Sequence, residues 1–271
     1  MEMPAYARSF LFVPGDRPDR FDKAVACGAD MVVLDLEDAV QPETKNEARS
    51  AIERWLAGGG QAAIRVNAIG TPWHEDDAAL LHSRGVLAAM LPKAERAHPL
   101  AAFCAALPAN LPVVPLVESA LGIWNVRELA AVPAVCRLAF GSVDFQLDCG
   151  AEDSGDVLPY ARSRLVLASK IEGIAPPVDG VTVQLDDDSR LAADVASSRA
   201  SGFAGKLCIH PSQIAAANAG FLPDAETLAW ARTVVEAAER NSATGAFRLN
   251  GQLIDRPLIE RARRVARISP S

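Results

Sequence analysis

Two carboxylates stand directly behind apolar runs: Glu118 follows the run in VVPLVE, and Asp144 closes LAFGSVD. Brought together at the mouth of a fold, two hard oxygen ligands suit Mg2+, which takes one or two carboxylates and leaves its other positions to water and substrate oxygens. The competing reading is local, with Glu118 complementing the start of a helix beside Ser119 and Asp144 capping a loop. Zinc is disfavoured, because His74, His82, His98 and His210 fall in no ligand motif.

Arg65 sits inside the apolar run AAIRVN, where an unpaired guanidinium would be costly to bury. Its acidic partners are expected in DLED, residues Asp35, Glu37 and Asp38, either as a structural ion pair or as supports that orient Arg65 to grip a substrate carboxylate. Strand alternation puts Asp35 and Glu37 on one face and Leu36 on the other. Lys93, after Pro92, is read as an anion binder, a Schiff-base lysine or an ion-paired charge, and His210 before Pro211 as structural. Arg17, Arg20 and Lys23 surround the first loop and either meet phosphates or form a solvated helix face. Nothing local singles out Asp255 in NGQLIDRP.

These residues fall at the ends of elements that alternate along the whole chain. Eight strands are expected, at residues 9–13, 31–36, 62–66, 87–91, 113–117, 135–140, 180–184 and 206–210, each followed by a stretch of helical spacing. Runs such as MVVLDL and VVPLV read as strands buried on both faces, and no G-x-G-x-x-G follows the first strand. The expectation is an α/β fold, a (β/α)8 TIM barrel over residues 1–222, with residues 223–271 forming a C-terminal helical extension or lid of the same domain. The tail reads as a helix at 225–240, a polar stretch at 241–245 and a last helical segment at 257–268. In such a barrel the polar residues that close the apolar runs converge on one rim, and Gln184 and His210 are placed there with the rest.

The 271 residues are 50% hydrophobic with a net charge of −7, which excludes disorder and makes nucleic acid an unlikely partner class. Five scattered cysteines in no C-x-x-C pair fit a reducing cytoplasm, and neither a signal peptide nor a membrane span is expected.

RSFLFVPG, LDLEDAV, RVN, LPK, PLVESALG, FGSVDF, GKLCIHPSQI and GQLIDRP, in this order from Arg8 to about Ala266, resemble the citrate lyase β-subunit-like (CitE-like) acyl-CoA lyases of the HpcH/HpaI aldolase superfamily. The resemblance implies a barrel, commonly trimeric, that uses Mg2+ to make or break a carbon–carbon bond between a 2-oxo acid and an acyl-CoA. It places Glu118 and Asp144 on the metal ligands and Arg65 on the residue that binds the oxo-acid carboxylate. Asp255 falls on an acid/base aspartate usually presented across a subunit boundary, and Arg20 and Lys23 lie where relatives meet CoA phosphates. A stand-alone lyase for malyl-CoA, citramalyl-CoA or a similar 3-hydroxyacyl-CoA is the leading expectation. The alternatives are a citrate lyase β subunit, a thioesterase on the same scaffold, and a silent barrel that serves as an assembly subunit.

Overall fold

The computed structural model describes residues 3–152, 155–240 and 246–266. The expected stretch 241–245 and residues 267–268 of the last helical segment lie outside the described residues. Contact density divides the chain into two compact units, Met1–Phe221 and Leu222–Ser271.

The first unit is a (β/α)8 barrel. Its strands β1 (Ser9–Pro14), β2 (Met31–Asp35), β3 (Ala62–Arg65), β4 (Val86–Leu91), β5 (Val113–Val117), β6 (Arg137–Phe140), β7 (Ala175–Asp179) and β8 (Gly205–Cys208) pair in parallel and in sequence order, and β8 closes onto β1. A short helix α1 (Met3–Tyr6) precedes β1. The connecting helices are α2 (Phe21–Ala26), α3 (Lys45–Ala57), α4 (His74–Leu80), α5 (Ala97–Ala106), α6 (Ala120–Trp124), α7 (Val126–Ala130), α8 (Ser142–Cys149), α9 (Val157–Ile171), α10 (Asp188–Ser201) and α11 (Ile214–Gly220).

Because strand side chains alternate, each strand feeds two cores. Phe10, Val33, Ala63, Met90, Leu116 and Ala139 fill the barrel interior, while Leu11, Leu34, Ile64, Leu91, Val117 and Phe140 pack outward beneath the helices. This parity decides which polar residues at the strand ends point inward.

Three departures from the sequence reading have physical causes. Strand β7 runs through Pro176 and Pro177 rather than over 180–184, so Gln184 lies in an exposed loop and not at a strand end. The prolines donate nothing to the ladder, but the β6 to β7 register shifts between Arg137 and Ala139, and the Arg137 guanidinium takes up the Pro176 and Pro177 carbonyls. The helix expected over 121–132 is broken at Asn125, whose side chain donates to the Glu95 carbonyl at 2.9 Å. The third is α8, which was not expected and carries Asp144 in its first turn.

Arg137 itself is fully buried and meets no carboxylate among the described residues. It donates to four carbonyls, those of Pro4, Ala7, Pro176 and Pro177, and burial pushes its pKa down to about 10. One guanidinium thus ties the N-terminal segment to β7.

The second unit comprises α12 (Ala225–Arg240), an antiparallel hairpin of β9 (Phe247–Leu249) and β10 (Gln252–Ile254), and α13 (Arg256–Ala266). Asn250 and Gly251 both take positive φ, 47° and 84°, as a two-residue hairpin loop requires. Ala231, Val234, Ile254 and Ala262 form its core.

Arg137→Met should lower unfolding free energy by about 2–4 kcal/mol, since the carbonyls it serves lose their donor. Urea denaturation checks this, and an unchanged midpoint would contradict the assigned role.

Candidate active site

Glu118 is the residue after β5. With Leu116 inward and Val117 outward, it points into the barrel mouth and is only 4% exposed. Its Oε1 accepts the backbone N–H of Lys93 at 2.7 Å. Lys93 makes that bond from a left-handed backbone, φ 51°, a strained conformation for a non-glycine residue. At the end of β6, Gly141 donates to the Val117 carbonyl at 3.0 Å, and a Cβ at Gly141 would overlap both Oε2 and Cβ of Glu118. A glycine is therefore required for the carboxylate to lie where it does.

Arg65 ends β3 and points inward by the same parity. Its Nε and Nη2 hold Asp35 in a two-armed bond, 2.7 Å each, and its guanidinium lies 4.6 Å from the Phe12 ring centroid. Nη1 lies 3.1 Å from Glu37 Oε2, an ion-pair contact without hydrogen-bond geometry. Burial alone would lower the pKa of Arg65, but Asp35 and Glu37 outweigh it and raise the value, so the group stays cationic. Glu37 Oε1 in turn accepts from Lys93 Nζ at 2.8 Å. A continuous chain of contacts therefore runs Asp35, Arg65, Glu37, Lys93 and, through the Lys93 backbone N–H, Glu118. Asp38 is exposed and makes no ion pair with Arg65, so of the three acidic residues Asp35 and Glu37 do the holding.

Asp144 enters the same space from the first turn of α8. It lines, with Glu118, Lys93 and Ser119, a cavity of about 730 Å³ whose lining also includes the apolar Leu91, Leu100 and Leu147. Glu95 and Asp148 also line it, and neither is among the candidates that the sequence singles out. Their positions, two residues after Lys93 and one helical turn after Asp144, were the available signals. Arg20 and Lys23 lie elsewhere, exposed on the turn and helix that follow β1. His210 accepts from Ser212 N at 3.2 Å as a turn cap. Asp255 belongs to the second unit, where its Oδ1 caps α13 by accepting from Leu258 N at 3.2 Å.

Burial, then the carboxylates of Glu37 and Asp144, push Glu118 up to about 8 against the Lys93 N–H and Arg65. Two acids that line one cavity and act on each other's charge, one of them buried, form a place where a small divalent cation would relieve the repulsion. No group of three or more His, Cys, Asp or Glu suited to a metal occurs among the described residues, so a cation here would have two carboxylates as its protein ligands. That donor set fits Mg2+, with positions left for water and substrate.

A carboxyl whose folded-state pKa lies above its ordinary 4.5 contributes stability that is full below that value and is lost as pH rises through about 8. Cation-free protein should therefore lose melting temperature relative to Glu118→Gln as pH goes from about 5 to about 9. A difference that does not change with pH would contradict the burial of this carboxylate.

The sequence pattern of the HpcH/HpaI aldolase/citrate lyase family matches residues 8–211. The chain is 37% identical to a citrate lyase subunit beta-like protein of Deinococcus radiodurans over 96% of each chain. It is 31% identical to the human mitochondrial citramalyl-CoA lyase, over 97% of this chain and 86% of that one. Among solved structures it is similar to CitE from Mycobacterium tuberculosis in complex with magnesium, acetoacetate and coenzyme A, with TM-score 0.85 and 34% identity, covering 97% of this chain and 98% of that one. With the barrel and its rim of inward charges already in place, these matches leave one assignment: the chain belongs to the HpcH/HpaI aldolase/citrate lyase family.

Proposed function

We propose that the protein is a Mg2+-dependent carbon–carbon lyase that cleaves or forms a 3-hydroxyacyl-CoA of the malyl-CoA or citramalyl-CoA kind, with a 2-oxo acid and an acyl-CoA as the partners. The observation that carries this reading is that Glu118 and Asp144 line one cavity, with the cationic, pre-oriented Arg65 near enough to act on the Glu118 charge. The named relatives support it, since they include a citramalyl-CoA lyase and a structure holding magnesium and coenzyme A.

Mg2+, held by Glu118 and Asp144, would supply Lewis acidity and a template for the oxo-acid oxygens. Arg65 takes the oxo-acid carboxylate through Nη1, the nitrogen that makes no hydrogen bond among the described residues, while Asp35 locks the guanidinium plane. Glu37 compensates the charge of Arg65, and Lys93 compensates that of Glu37, so both cations at the rim are already partnered before substrate arrives. Asp255 removes the proton from the carbon beside the thioester in condensation and returns it in cleavage. Arg20 and Lys23 meet the CoA phosphates, in keeping with their exposure after β1.

We further propose a homo-oligomer, a trimer or a multiple of one, in the cytoplasm. Exposed apolar side chains support self-association: Trp124 is 71% exposed, and Tyr160, Leu167 and Ile171 form an exposed stripe along α9, with Arg164 stacked on Trp124 and Tyr160. The tail, residues 223–271, would serve as the lid that carries Asp255.

Incubation with Mg2+ and a panel of 3-hydroxyacyl-CoA thioesters should release an oxo acid and a shortened acyl-CoA, identified by mass spectrometry. Free CoA with the intact hydroxy acid would make it a thioesterase, and no turnover would favour a carrier-dependent or silent subunit. Asp255→Asn should lower kcat about 10²- to 10⁴-fold with little change in oxo-acid affinity. Mixing it with Glu118→Ala protein restores activity only if Asp255 serves a neighbouring copy.

A further inference from the structure

Asp148 lies one helical turn after Asp144 on α8, and its Oδ2 accepts the backbone N–H of Ala120 at 2.7 Å. Ala120 opens α6, two residues beyond Glu118. This bond therefore joins the helix that carries one of the paired carboxylates to the segment that carries the other. The bond from Gly141 N to the Val117 carbonyl ties the same two regions at the strand ends, just before Glu118 and before α8, and Asp148 ties them a second time beyond those points. On the opposite flank of the segment, Ser119 Oγ donates to Glu95 Oε1 at 2.8 Å and accepts from Gly122 N at 3.1 Å, and Asn125 Nδ2 donates to the Glu95 carbonyl. Residues 118–120 are thus fastened between Glu95 and Asp148.

The Asp148 carboxylate makes no ion pair among the described residues, and its side chain is exposed at the cavity edge. Burial does not explain an acid there, and its contact to Ala120 does. Separation matters for a two-carboxylate site because Mg2+ demands oxygens at about 2.0–2.1 Å in near-octahedral array, whereas Ca2+ tolerates about 2.3–2.6 Å and irregular geometry.

We propose that Asp148 is a positioning residue that sets the spacing of the Glu118 and Asp144 carboxylates, and through it the preference of the site for Mg2+ over larger ions. This rests on the reading of that pair as the cation site. Asp148 acts on the ion only through the backbone it holds.

The test uses the full chain without substrate, with thermal-shift titrations of Mg2+ and Ca2+ on wild type, Asp148→Ala, Asp148→Asn, Ala120→Pro and, as control, Glu118→Gln. Asp148→Ala should raise the Mg2+ half-saturation about tenfold and the Ca2+ value clearly less. Asp148→Asn keeps an acceptor oxygen and should stay within about twofold of wild type for both ions. Ala120→Pro deletes the donor N–H at a first helical position where proline is tolerated, after an extended Ser119, and should reproduce Asp148→Ala. It also decides the matter if Asp148→Ala does not fold. Unchanged Mg2+ binding in both deletions, equal losses for the two ions, or an Asp148→Asn as impaired as Asp148→Ala would each overturn the proposal, the last by showing that the charge acts directly. If Mg2+ does not shift wild type, or shifts Glu118→Gln equally, the cation reading itself fails, a result separate from any effect at Asp148.

Discussion

Glu118 is held as an acid in surroundings that resist its charge, and much of the barrel mouth is arranged around that conflict. Its carboxyl is nearly closed off from solvent and shares its neighbourhood with Glu37 and Asp144. The Lys93 N–H, the Lys93 ammonium and the Arg65 charge favour its ionised form, but burial outweighs them. A site in which like charges are crowded and then only partly compensated has stored affinity for a cation, because any ion that enters removes the repulsion at once. The strained backbone of Lys93 and the missing Cβ of Gly141 are both needed to hold Glu118 in that position.

The compensation is distributed along one chain of contacts. Asp35 fixes the plane of Arg65, Glu37 bridges Arg65 and Lys93, and the Lys93 backbone reaches Glu118. The residues come from β2, β3 and the loops after β4 and β5, elements that the closed barrel places side by side. Strand parity makes the arrangement economical. The same alternation that sends Leu34, Ile64 and Val117 into the outer core sends Asp35, Arg65 and Glu118 inward. An anionic substrate at Arg65 and a cation at the carboxylate pair would act in opposite senses on the local charge balance, each offsetting the other.

Much of this was legible from residue order. Continuous apolar runs marked the parallel strands, and Arg65 inside AAIRVN announced that a buried acid must meet it, which the pairing with Asp35 satisfies. β7 was misplaced because a strand through Pro176 and Pro177 contradicts propensity, and what permits it, Arg137 binding their carbonyls, comes from a different strand. The Asn250-Gly251 pair was a readable hairpin signal between β9 and β10 that was not taken. The backbone of Lys93, the close approach at Gly141 and the bond from Asp148 to Ala120 depend on where loops distant in sequence meet, and residue type alone carries no trace of them.

The account turns on a cation shared by Glu118 and Asp144 beside Arg65, whose Nη1 meets Glu37 without hydrogen-bond geometry, and anomalous diffraction from crystals grown with Mn2+ and pyruvate tests it most directly. It predicts one strong peak within coordination distance of an oxygen from each carboxylate, with the pyruvate carboxylate against Arg65 Nη1. A peak elsewhere on the rim, or pyruvate bound without contact to either the ion or Arg65, would contradict it.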